Sequence, residues 1–279
     1  QARASGASLI LVNAVLPHES MPVESGAVPY YDPLRMDRDA RLLLENVARE
    51  VRDQGIDCAT AVRHGFAPDV IAEVVRNAEA SRLIVGTHGR RGLKKFVLGS
   101  VARQLLDLVD IPVCTIGPRA HHLPADVPGT ILHPVSLAGL HESSTALALK
   151  LGRQFAARVV LLHVIPPGPA TARDPGKAVD DATAELNRLI PAEERASTQV
   201  MVRIALNNVV SEVLNVAQEI EAGLLVLGVH APAHSWLPGT EPAAYKILVS
   251  APCPVVSLRV TPAAEAKQHQ PETKHVVLN

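Results

Sequence analysis

"ASRLIVGTHG" occupies residues 80–89 and "EAGLLVLGVHA" residues 221–231, and the glycines that close the two apolar runs, Gly86 and Gly228, stand 142 residues apart. The same offset relates "VDIPVCTIGP" (109–118) to "VSAPCPVVSLR" (249–259). Upstream, "ASLILVNAVLP" (7–17) parallels "ARVVLLHVIPP" (157–167), and "FAPDVIAEVV" (66–75) parallels "LNNVVSEVLN" (206–215). Such self-similarity means two folding units of one plan. Each unit alternates short aliphatic runs with longer stretches of helical period, which calls for an α/β fold: a parallel sheet covered on both faces.

The helical stretches carry their own punctuation. Over 36–51, Met36, Ala40, Leu43, Leu44, Val47 and Val51 form one stripe, with Pro33 ahead of it and Gly55 behind. Pro68 suits a helix N-terminus, and Val70, Val74 and Val75 continue its apolar face toward the strand "SRLIVG". Three prolines without periodicity in "GPRAHHLPADVPG" (117–129) mark a linker. The division expected is a first domain over 1–118, a linker over 119–129, a second domain over 130–261 and a tail over 262–279.

The second unit opens with "TILHPVS" (130–136) and a helix over 145–156 bearing Leu147, Leu151 and Phe155 on one face. The first unit has no counterpart, so about 28 residues, one strand and one helix, are expected to be missing before Gln1. "KHVVLN" at 274–279 is a lone apolar strand candidate after a polar stretch. Termini of this kind usually fray. The alternative is that it fills the place left in the first sheet.

With 27 Lys plus Arg against 28 Asp plus Glu, the net charge is −1, which excludes an electrostatic binder of nucleic acid or of membrane surfaces. No apolar run approaches the roughly 20 residues that span a bilayer. Cys58, Cys114 and Cys253 lie far apart and form no CxxC, so they read as buried thiols of a reducing compartment. A cytoplasmic protein is expected.

The stretch "VGTHGRRGLKKFVLGSVA" (85–102) is where chemistry concentrates. Gly86 ends a strand, and Gly99-Ser100 starts a helix with Val101, Leu105, Leu108 and Val109 on its apolar face. In an open parallel sheet, strand ends and helix N-termini meet at one crevice, where backbone N–H groups favour anions. Glycine at 86, 89 and 99 permits close backbone approach, Ser100 offers a hydroxyl, and Arg90, Arg91, Lys94 and Lys95 add positive field. The stretch matches neither GxxxxGK[ST] nor GxGxxG.

Gly86-x2-Gly89-x9-Gly99-Ser100, set between "RLIVG" and a helix leading to "DIPVCTIGP", resembles the ATP-binding signature of the universal stress protein family. The resemblance covers both units and implies a tandem member with two open, doubly wound sheets of strand order 3-2-1-4-5. It implies ATP, with or without Mg²⁺, across the switch point of the first unit. Gly86, Thr87, His88, Gly89 and Arg90 would flank ribose and phosphates, Gly99, Ser100 and Val101 would grip phosphate, and Asn13 and Ala14 would give backbone contacts to adenine. The family's acidic residue at the end of the first strand has no match in the first unit. The second unit has Ser136 where that Asp belongs, Ala231 for the second glycine, and Pro232 and Pro238 in a shortened loop before Gly239-Thr240, so it is expected not to bind ATP. A homodimer or an intramolecular pseudo-dimer is a further implication.

Other constellations read as structural. His230 and His234 sit among prolines that oppose a helix, and no acidic or thiol neighbour completes a metal set. His121 and His122 fall in the linker, and His133 and His163 lie in strand runs, where a hydrogen-bonded core histidine is the rule. Ser136, His141, Glu142 and Ser143 lack a GxSxG elbow. The expectation is a regulatory ATP-binding stress protein, not an enzyme, with at most slow hydrolysis. The alternative is a nucleotide-free scaffold that recruits protein partners.

Overall fold

The computed structural model describes residues 2–16, 32–87, 98–120, 127–137, 142–197, 199–229, 242–260 and 274–278. Two compact units result, and they are discontinuous in sequence: one comprises Gln1–Gly86, Ser100–Val113 and His269–Asn279, the other Thr87–Gly99 and Cys114–Gln268.

In the first unit a short helix α1 (Ala2–Ser5) leads into β1 (Ser8–Val15), α2 (Pro33–Asp53), β2 (Cys58–His64), α3 (Ala67–Asn77) and β3 (Arg82–Gly86), and then α4 (Ser100–Leu108). β4 (Val113–Ile116) begins where this segment ends. Asp32 caps α2 by accepting hydrogen bonds from the Leu34 and Arg35 amides, both at 3.1 Å, and Pro33 supplies a fixed φ for the first turn. Ala40, Leu44 and Ala48, spaced by four, turn inward and pack with Leu9, Leu11, Cys58 and Val62. Full burial of a leucine such as Leu44 stabilises the fold by about 1.5–3 kcal/mol. Gly55, at φ +77°, reverses the chain after the helix where a side chain would be strained. The stripe over 36–51 and its flanking Pro33 and Gly55 are thus as expected.

The strand order of this unit departs from expectation at its centre. β10 (Lys274–Leu278) lies between β1 and β3, giving β2-β1-β10-β3, with every neighbouring pair parallel. Its register runs from Ser8 with Lys274 to Val12 with Leu278 on one side, and from His275 with Arg82 to Val277 with Ile84 on the other. The last strand thus lies in the first unit's sheet, in the place named as the alternative to a frayed end. β1 and β3 are both lined with buried residues, Leu9, Leu11, Val12, Leu83 and Val85, so a gap between them would leave two rows of backbone donors and acceptors unpaired in an apolar setting.

In the second unit the chain passes through β5 (Thr130–Pro134), α5 (Glu142–Phe155), β6 (Arg158–Ile165), α6 (Pro169–Arg173), α7 (Pro175–Arg188), α8 (Ala192–Ser197), β7 (Val200–Leu206), α9 (Val209–Glu219), β8 (Leu224–Val229), α10 (Ala243–Ser250) and β9 (Val255–Arg259). The sheet order is β7-β6-β5-β8-β9, all parallel, which in the unit's own count is 3-2-1-4-5. Ile131, Leu132, Leu161, Leu162, Leu224 and Leu225 are fully buried, as strands covered on both faces require. Asn208 caps α9, accepting from the amides of Val210 and Ser211 at 3.0 and 3.2 Å. The expected helix over 145–156 starts three residues earlier, with Leu151 and Phe155 buried as its period demands. β5 opens this unit and stands at its centre, in the place that β10 takes in the first.

Candidate functional site

In the first unit, parallel pairing brings the carboxyl ends of β1 and β3 to one edge of the sheet. Asn13 lies one position beyond the pair Val12–Leu278, and Gly86 two positions beyond Ile84–Val277, so both reach the same level on either side of β10. Asn13 and Ala14 are half-buried and pair with Val62 and Arg63 of β2, while Gly86 is exposed. These are the positions from which adenine and ribose contacts are expected, and they share an edge.

The loop that follows is held at both ends. Thr87 is 1 % exposed; its amide donates to the Ile116 carbonyl at 3.0 Å and its hydroxyl to the same oxygen at 3.3 Å. The Gly99 amide in turn donates to the Thr87 carbonyl at 2.9 Å. A Cβ on residue 99 would stand 3.0 Å from that carbonyl oxygen, so a side chain there would require the backbone to give way by a few tenths of an ångström. Two expected ligand groups are therefore engaged within the protein: the Thr87 hydroxyl and the Gly99 amide.

α4 starts at Ser100, which is exposed, so the cap position falls to Gly99 rather than to the serine. The first amides of a helix lack intrahelical acceptors and carry the positive end of its dipole. No acidic residue stands in the first turn of α4 to neutralise that end. Ala102, Leu105 and Leu106 are buried and seat the helix, with the exposed Ser100 and half-buried Val101 in its first turn. His88, Gly89 and Arg90, with Arg91, Lys94 and Lys95, lie outside the described residues. Such an edge has the means to hold an anion. None of Asn13, Ala14, Gly86, Thr87, Gly99, Ser100 and Val101 titrates near neutral pH.

At the corresponding position of the second unit, Gly228 is crowded by side chains. A Cβ on Gly228 would meet Val260 Cγ2 at 2.9 Å and Ser144 Oγ at 3.0 Å. Next to it, His133 is fully buried, with Nδ1 2.8 Å from the Val226 carbonyl and Nε2 3.0 Å from Thr145 Oγ1. Because a carbonyl only accepts, Nδ1 carries the proton, and in the neutral imidazole Nε2 accepts from the threonine hydroxyl. His163 places Nδ1 2.8 Å from the Val135 carbonyl, so both strand histidines serve the structure as expected. Ser136 is exposed after β5, and the loop containing His230, His234 and Gly239 lies outside the described residues.

Among the described residues no cluster of His, Cys, Asp or Glu is arranged to hold a metal. His121, His122 and His141 lie outside them. All three cysteines are free and buried, and burial pushes the Cys253 thiol up to about 12. Among the described residues no helix is long and apolar enough to cross a membrane.

The fold is that of a tandem protein of two doubly wound parallel-sheet units. The universal stress protein family model matches residues 1–116 and 130–259, and the chain belongs to that family. Among curated relatives, a universal stress protein A-like protein from Arabidopsis thaliana is 29 % identical over 84 residues, 30 % of this chain and 48 % of its own length. Universal stress protein MJ0577 from Methanocaldococcus jannaschii is 24 % identical over 82 residues, 29 % of this chain and 51 % of its own length. The chain thus spans about half the length of these two relatives. A crystal structure of a universal stress protein from Archaeoglobus fulgidus matches 92 % of this chain and 90 % of its own at a TM-score of 0.69 and 17 % identity, a likeness of fold. A universal stress protein of that organism solved with dAMP matches 47 % of this chain and 97 % of its own at a TM-score of 0.37 and 16 % identity.

Proposed function

We propose that the first unit binds an adenine nucleotide, ATP with or without Mg²⁺, and that the protein acts by carrying it as a regulatory ligand rather than by turning it over. The observation that supports this reading is the shared edge: Asn13 and Gly86 reach one level of the sheet, and Gly86 and Ser100 are exposed. Phosphate would meet the amides of Ser100 and Val101 at the positive end of α4, and adenine the backbone of Asn13 and Ala14. The loop residues His88, Gly89 and Arg90 complete the proposed set.

The grip proposed is on a ground state, and binding substrate and transition state equally lowers no barrier. Asn13, Ala14, Gly86, Thr87, Gly99, Ser100 and Val101 include no group able to take a proton from water at neutral pH, and His88 lies outside the described residues. The second unit is proposed not to bind nucleotide, because Ser144 and Val260 fill the space beside Gly228.

The competing reading is a nucleotide-free scaffold for protein partners. It is favoured by the engagement of the Thr87 hydroxyl and Gly99 amide within the protein, which gives Gly99 a structural reason that needs no ligand. Titration calorimetry with ATP and Mg²⁺ separates the two. One saturable site per chain, lost in Gly89→Val, supports the nucleotide reading; no heat supports the scaffold. Phosphate release of many turnovers per minute, abolished in Ser100→Asp, would overturn the non-enzymatic role.

A further inference from the structure

The 142-residue offset of the sequence repeat matches Thr87 with Val229, Ile116 with Leu258 and Pro118 with Val260. Thr87 and Val229 are both buried, at 1 % and 5 % exposure, and both are β-branched, so they differ by a hydroxyl in place of a methyl. Thr87 directs that hydroxyl to the Ile116 carbonyl at 3.3 Å, the oxygen to which its own amide donates at 3.0 Å. Valine has no such second bond. The carbonyls of the two residues differ as well. Val229 accepts from the Val260 amide at 2.9 Å, next to its register partner Arg259 in β9. Pro118 has no N–H to offer, and the Thr87 carbonyl accepts instead from the Gly99 amide at 2.9 Å.

From this contrast within one chain we infer that Thr87 is a positioning residue for the start of α4 and not one of the groups that touch the nucleotide, and that Pro118 leaves its carbonyl open to Gly99. In its consequence for binding, the inference rests on the nucleotide reading given above. Two donors of one residue on a single acceptor fix how Thr87 sits at the end of β3. Its carbonyl then sets where Gly99 lies, and with it the amides of Ser100 and Val101 that follow. A ligand hydroxyl has to be reachable, and that of Thr87 is buried and already donating. Because the amides of Ser100 and Val101 would meet phosphate and not the base, loosening Thr87 lowers affinity for ATP and spares adenosine.

The test uses the full chain with Thr87→Val, the residue at the matching position of the repeat, and Thr87→Ser, which keeps the hydroxyl. Calorimetric titrations with ATP and with adenosine are run beside amide exchange at Gly99. In Thr87→Val, ATP affinity is expected to fall about tenfold, adenosine affinity to stay within about twofold, and Gly99 exchange to quicken about tenfold. All three return close to the parent in Thr87→Ser. Equal losses for ATP and adenosine would make Thr87 a ligand of the nucleoside and overturn the inference. Unchanged ATP affinity, or unchanged exchange at Gly99, overturns it as well. A parent chain that binds neither ligand refutes the nucleotide reading alone; exchange at Gly99 in the two variants then decides whether Thr87 positions α4. Should Thr87→Val fail to fold, Pro118→Ala, at an exposed position, supplies a competing N–H for the Thr87 carbonyl. It should weaken Gly99 protection about tenfold, and protection left unchanged overturns the inference.

Discussion

The amide of Gly99 reaches the carbonyl of Thr87 at 2.9 Å, and the same oxygen would lie 3.0 Å from any Cβ at position 99. One contact thereby ties the end of a strand to the start of a helix and crowds any side chain where they meet. Gly99→Ala should destabilise the fold by about 1–3 kcal/mol, since carbonyl backbone yields less readily than a side chain. Chemical denaturation measures this. A change below a few tenths of a kcal/mol would show that the approach relaxes without cost.

Ser100 allows stability and binding to be separated. Ser100→Asp puts a carboxylate at the positive end of α4 and should stabilise the helix by about 0.3–1 kcal/mol. The same charge repels phosphate, so ATP affinity should fall at least about tenfold. A raised thermal midpoint with undiminished affinity would move the nucleotide away from α4.

His133 bridges Val226 and Thr145 in a fully buried setting. His133→Ala strands a carbonyl and a hydroxyl without partners and leaves a cavity, for an expected loss of about 2–5 kcal/mol confined to the second unit. Amide exchange in β5 and β8 reports it. Loss of protection in β1 and β2 instead would contradict that assignment.

Acid should weaken the fold through two carboxylates. The Arg41 guanidinium donates to Asp37 at 2.7 Å and holds its carboxyl below the ordinary range, although burial opposes the shift. Arg203 does the same for Glu219, at 2.6 Å. A carboxyl whose folded pKa is depressed stabilises fully above its unfolded value, near pH 4, and the effect vanishes as pH falls through the lower folded value. Urea midpoints of the parent and of Arg41→Gln with Arg203→Gln should differ at pH 6 and converge toward pH 3. A gap unchanged across that range would refute the linkage.

Much of the fold is legible along the chain. The 142-residue offset gave two units, aliphatic runs marked strands covered on both faces, and the four-residue spacing of Ala40, Leu44 and Ala48 placed one face of α2 inward. The ends of the Gly86 to Ser100 stretch were readable as a strand stop and a helix start because glycine and serine carry local conformational meaning.

What periodicity reports is burial, and burial does not say which strand neighbours which. The place of β10 between β1 and β3 is a pairing across more than 260 residues on one side, decided by backbone groups that would otherwise go unmet. Thr87 and Gly99 likewise acquired their roles only when Ile116 and Thr87 carbonyls came within hydrogen-bonding reach. Composition and spacing determined two units with their strands and helices; non-local hydrogen bonding decided the strand that completes the first of them and the amides left at its edge.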